Sequence, residues 1–98
     1  MAAQDEAFAR FVQQAGVEEA NFFGFRALRV KGKTLLVLAQ DGLVFRLGVG
    51  DIQAALGLRG ANLWNPFGRA KKHWVYLPAL HQDIWPDYLE KAQRALET

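Results

Sequence analysis

The stretch FFGFRALRVKGKTLLVLAQDGLVFRL, residues 22–47, decides the fold of this chain. Its apolar runs are separated by two turn signals, Lys31-Gly32-Lys33 and Asp41-Gly42. Asp-Gly between apolar runs marks a two-residue hairpin turn, because the type I′ form needs positive φ at both central positions. The stretch therefore reads as three consecutive strands, with Gly24 inside the first. A strand glycine marks a bulge or a close approach to the backbone, here by a crossing helix or loop. With Asp41-Gly42 as the turn, Gln40 lies opposite Leu43, Leu38 opposite Phe45 and Leu36 opposite Leu47. With Lys31-Gly32 as the other turn, Phe25 opposes Leu38 and Ala27 opposes Leu36. Directly opposed residues share a face of the sheet. One face then carries Phe23, Phe25, Ala27, Leu36, Leu38, Leu43, Phe45 and Leu47, and is the core face. The other carries Leu28, Val30, Leu35, Val37, Ala39 and Val44, with Arg26 and Arg46 flanking Val37. A solvated sheet face is mostly polar. This one is not, so a second copy of the chain or a protein partner is expected to cover it. The interaction-face candidates are Arg26, Leu28, Val30, Leu35, Val37, Val44 and Arg46.

The flanking segments complete an α+β domain. Ala7, Phe8, Phe11, Val12 and Ala15 recur at helical spacing, which predicts a helix from about Asp5 to Ala15, stopped by Gly16. After the third strand, Gly48-Val49-Gly50 leads into a short helix over about Asp51–Leu56, closed by Gly57-Leu58. Two more strands are expected near Ala61–Trp64 and His73–Leu77. Pro78 ends the last, and Asp83 caps a final helix over Ile84–Leu96, with Pro86 tolerated in its first turn. Trp85, Tyr88, Leu89, Ala92, Ala95 and Leu96 form its apolar stripe. The predicted order is α-β-β-β-α-β-β-α, a two-layer domain with a mainly antiparallel five-stranded sheet.

At 98 residues, 51% hydrophobic and 22% charged, the chain has the makeup of one folded domain spanning 1–98. It contains no cysteine, which excludes disulfides, thiolate metal sites and a thiol nucleophile. No apolar run reaches the roughly 20 residues of a membrane span, and the polar start has no signal-peptide pattern, so a cytoplasmic location is expected. The net charge is +2, but residues 26–72 hold nine Lys/Arg against Asp41 and Asp51, a local +7. A basic middle of this kind makes nucleic acid a second candidate ligand. The segment Asn65-Pro66-Phe67-Gly68-Arg69-Ala70-Lys71-Lys72 mixes cations with an aromatic and has Trp64 and Trp74 at its ends. Phosphate neutralisation and base stacking need that mixture. The nucleic-acid candidates are Arg26, Arg46, Arg69, Lys71, Lys72 and Trp74. Catalytic signals are lacking. His73 and His81 are the only histidines and read as strand-end or surface residues, no metal set is formed, and Gly48-x-Gly50 lacks the rest of a phosphate loop. Neither an enzyme nor a cofactor is expected.

The pattern resembles the N-terminal domain of TfoX-type proteins, the bacterial competence-regulator family. The residues that carry the resemblance are Phe23-Gly24, Gly32-Lys33, the Leu43–Leu47 strand, Pro66-Phe67, Leu77-Pro78 and the last helix with Leu89, Ala92 and Ala95. It covers roughly residues 20–97. The chain departs from the pattern at Phe22, where many members have methionine, and at Arg46, where they often have lysine. The resemblance implies a secretion-chaperone-like α+β fold, no known catalytic activity, and a regulatory module that dimerises or binds other proteins. The YjbR-like family shares the general architecture.

Overall fold

The computed structural model describes residues 2–97. Its elements are α1 (Ala3–Phe11), β1 (Val17–Phe22), β2 (Phe25–Val30), β3 (Lys33–Ala39), β4 (Gly42–Arg46), α2 (Val49–Leu56), β5 (Asn62–Leu63), β6 (Trp74–Pro78), a 3-10 segment (Ala79–Ile84) and α3 (Trp85–Ala95). The domain is α+β with an antiparallel sheet and helices at both ends. The sheet has six strands in the order β1-β2-β3-β4-β6-β5. The strand beyond the expected five is β1. Its sequence, Val-Glu-Glu-Ala-Asn-Phe, lacks the alternation of a half-buried strand. It is formed because Phe23-Gly24 is a two-residue turn with φ of 53° and 88°, not the interior of a strand.

The helices cover one face of the sheet. Ala7, Phe8 and Phe11 of α1, Ala55 of α2 and Trp85, Tyr88, Leu89 and Ala92 of α3 pack on Leu28, Leu36, Leu43, Phe45, Leu47, Val75 and Leu77. Several helix ends differ from expectation. α1 stops at Phe11, with Val12 as its C-cap, well short of Ala15, and α2 begins at Val49, ahead of Asp51. Gly57 has φ of −77°, so it is no left-handed stop. The α3 N-cap is Ile84, and no side chain caps it, Asp83 included.

The register of the central strands departs from the sequence reading in two ways. The β3–β4 turn is centred on Gln40-Asp41, which pairs Leu36 with Phe45 and Leu38 with Leu43. This is a slip of two residues, so each side chain keeps its expected face. Between β2 and β3 the turn at Lys31-Gly32 is as expected, with Val30 opposite Lys33 and Arg29 opposite Thr34. A bulge then intervenes, and Leu28 meets Leu36 while Ala27 meets Val37. One extra β3 residue, Leu35, is accommodated there, and Leu35 and Leu36 both enter the helix-side core. Beyond the bulge the two faces of β2 trade occupants. Leu28 and Val30 pack in the helix-side core, and Phe25 and Ala27 lie on the far face. Arg26 goes with Leu28, and its guanidinium stands 4.9 Å from the centre of the Phe8 ring of α1. Arg26 and Arg46 therefore do not share a face.

Two tyrosines have side-chain hydroxyls with raised pKa values. Burial is the main cause for both, reinforced by Asp41 near Tyr76 and by Asp51 and Asp87 near Tyr88. The Tyr76 hydroxyl also donates to the Gln40 carbonyl at 3.0 Å, which needs the neutral form. The folded state thus holds these protons more tightly than the unfolded chain. Their contribution is complete below the ordinary tyrosine value of about 10 and is lost as the pH rises above it through the raised folded values. Melting temperatures measured against pH should fall above that point, and less steeply for Tyr88→Phe.

Candidate functional site

The far face of the sheet is not open. Ala27, Val37 and Val44 have no exposed surface, and Trp64 and Trp74 are almost fully buried beside them. The cover comes from the chain itself. In strand order β1 and β2 lie at one side and β5 at the other. Nevertheless Phe22 lies 4.9 Å from Trp74 and 6.2 Å from Trp64, and Phe25 lies 5.3 Å from Trp64, centroid to centroid. The sheet curls until its sides meet through these rings, enclosing a small second core. The expectation of an uncovered apolar face is therefore corrected. Of its seven candidates, Leu28, Leu35, Val37 and Val44 are fully buried, Val30 and Arg26 belong to the helix side, and only Arg46 reaches the far-side surface.

The aromatics do not end at the enclosed core. Phe23 and Phe67 are 56% and 60% exposed. They stand edge to face 5.8 Å apart, from the β1–β2 turn and the β5–β6 loop. Phe22 is 4.6 Å from Phe23 and fixes it from below. The Lys71 ammonium sits 4.4 Å over the Phe23 ring. The backbone of Lys71 is held on both sides, its N–H donating to the Trp64 carbonyl at 2.8 Å and its carbonyl accepting from the Trp74 N–H at 3.1 Å. The loop carrying Arg69, Lys71 and Lys72 is thus pinned to the sheet, with Arg69 and Lys72 exposed. Among the described residues none of these three cations has a carboxylate partner. Trp74, expected to stack on a base, is only 8% exposed and supports the rings above it instead.

The conformation of Phe23 is itself informative. A bulky residue at φ of 53° is disfavoured, and turns of this type prefer Asn, Asp or Gly there. Here a large apolar ring is held outward in a strained position, which is the sort of cost that accumulates at functional sites. Gly24 completes the turn, its N–H donating to Asn21 Oδ1 at 2.9 Å.

Elsewhere Arg26, Arg29 and Lys91 pair with Glu19, Glu18 and Asp51. Arg26 makes two hydrogen bonds to Glu19, at 2.9 and 3.1 Å. They hold the Glu19 carboxyl below its usual range and raise Arg26. This pair is exposed, so it stabilises little, and Arg26 is occupied away from the nucleic-acid candidates. The histidines separate: the His81 ring is 2.8 Å from the Arg59 carbonyl and pins the α2–β5 loop, while His73 lines a groove. No three His, Asp or Glu side chains gather as a cation site among the described residues. No helix among them is long and apolar enough to cross a membrane.

What this arrangement offers chemically is a surface of edge-to-face rings bordered by cations that have no carboxylate partner among the described residues. Compared with protein families, with curated proteins and with solved structures, the chain matches none.

Proposed function

We propose that this chain is a non-enzymatic, cytoplasmic binding module whose ligand is single-stranded nucleic acid. The observation that carries the reading is the exposed Phe23–Phe67 pair, held by two hairpins and bordered by Lys71, Arg69 and Lys72. Phe67, and the part of Phe23 that the Lys71 ammonium does not cover, offer surface to unpaired bases, and base–aromatic stacking is worth about 1–3 kcal/mol per base. The cations supply phosphate contacts. Three contacts to a single strand predict a loss of affinity of about 20-fold between ~50 and ~200 mM salt. Duplex DNA keeps its bases stacked and should bind more weakly.

Fluorescence anisotropy with oligonucleotides of about a dozen residues tests this. Phe67→Ala and Phe23→Asn should each weaken binding by roughly 5- to 150-fold, following the stacking energy. For Phe23→Asn the folding stability should stay within about 1 kcal/mol of the parent, because relief of the left-handed strain offsets lost ring contacts. Salt-independent binding, or no binding at low salt, would rule the reading out.

A second reading keeps the regulatory, competence-related role that the TfoX resemblance implies, with self-association or a protein partner. Its support is now the same pair of exposed rings, not the centre of the sheet. Light scattering separates the two: a dimer lost in Phe67→Ala favours association.

A further inference from the structure

We propose that the groove behind the aromatic pair is a second binding site, for a phosphate monoester of nucleotide size. The groove measures about 630 Å³, within the range of sites for small ligands, roughly 300–1,000 Å³. Two cations and an imidazole line it from separate parts of the sheet: Lys33 at the start of β3, Arg46 at the end of β4, and His73 just before β6. The Leu47 N–H donates to the His73 carbonyl at 2.9 Å, so the segments bearing Arg46 and His73 are locked together. Thr34 adds a hydroxyl, and none of the lining residues is Asp or Glu. Among the described residues Lys33, Arg46 and His73 have no ion-pair partner. Two cations without ion-pair partners among the described residues, with an imidazole beside them, line one concave site that matches a phosphate, and Arg46 can grip it with two parallel N–H donors.

The remainder of the wall is apolar, with Phe22, the edge of Trp74 and Leu96. That half suits the ring of a nucleoside and not a bare inorganic ion. Phe22, which packs on Trp74, also touches Phe23, so groove and rings are linked through it. Lys33 borders a neighbouring groove with Glu97 as well, which makes Arg46 and His73 the decisive pair.

The shared chemistry has two sources, a free mononucleotide or the phosphorylated end of a bound strand. Only the second source rests on the strand-binding reading. The experiment is titration calorimetry of the intact chain with adenosine 5′-monophosphate, adenosine and inorganic phosphate. Alongside, anisotropy compares one oligonucleotide with and without a 5′-phosphate. The expected result is that the monophosphate binds at least about tenfold more tightly than adenosine, and that Arg46→Gln removes the difference without lowering the melting temperature. His73→Gln should reduce it. A preference for the 5′-phosphorylated strand assigns the ligand to a strand end; equal binding of both strands beside monophosphate binding assigns it to the free nucleotide. Equal affinity for adenosine and its monophosphate, or no binding of either, overturns the groove proposal even if the strand still binds through Phe23 and Phe67. Conversely, monophosphate binding with no strand binding sustains the groove and removes the strand reading.

Discussion

Replacing Gly42 with alanine is expected to destabilise the domain by about 3 kcal/mol. Gly42 starts β4 directly opposite Pro78 in β6. A Cβ at this position would lie 2.5 Å from the Leu77 carbonyl oxygen, 2.8 Å from Tyr76 Cε1 and 2.9 Å from Pro78 Cα. Two of those atoms are backbone and cannot rotate away. The β4–β6 pair would have to separate by most of an ångström, in the middle of the sheet. Neighbouring bonds would loosen too, including the one the Ala79 N–H donates to the Asp41 carbonyl at 2.8 Å. Glycine normally costs backbone entropy, and its removal returns roughly 0.4–1 kcal/mol; the clash outweighs that. Gly50→Ala is the matched control. It lies in α2 with nothing within 4 Å of its added methyl, so it should stabilise by up to about 1 kcal/mol. Urea denaturation measures both. A Gly42→Ala midpoint equal to the parent's would mean that the strands are further apart than described.

The other large effect is expected at Trp85. It is the largest side chain with no exposed surface and anchors the first turn of α3 in the helix-side core. Trp85→Ala should cost about 3–5 kcal/mol, through lost burial and the cavity left behind. Trp85→Phe should cost far less than its volume suggests. The indole Nε1–H is buried and finds no hydrogen-bond partner among the described residues. An orphan donor of this kind costs about 1–3 kcal/mol, and phenylalanine removes it. The two terms nearly cancel, leaving Trp85→Phe within about 1 kcal/mol of the parent. If the phenylalanine variant is as damaged as the alanine one, the indole N–H is bonded after all.

The residues made the class of fold legible and misplaced its details for identifiable reasons. Turn signals and helical stripes located both terminal helices, the short helix and the strands from Lys33 onward, because each depends on neighbours in sequence. The bulge at Leu35 does not: the run Leu35-Leu36-Val37-Leu38 is apolar on every side, so no alternation marks the extra residue. That one residue moved Leu28 and Val30 under the helices and Phe25 and Ala27 to the other side. At Asp41-Gly42 a glycine required for space was read as one required for a turn. In the candidate site, Lys71, Arg69 and Lys72 were visible from charge and aromatic mixing. The contribution of Phe23 was not. A Phe-Gly pair between segments of a strand pattern was the available signal, and it called for a two-residue turn with an outward ring. The meeting of Phe22 and Phe25 with Trp64 depends on how far the sheet curls, which no local pattern records.

The placement of the outermost strands has a consequence for assembly. β5 is only two residues long, and β1 carries Glu18 and Glu19 on successive positions, hence one on each side of the ribbon. A foreign strand docking on β1 would meet a carboxylate whichever side its own apolar residues faced, and β5 offers too little main chain to template one. Fibril-like stacking is disfavoured at both margins, and so is lengthening of the hydrogen-bonded ladder by another chain.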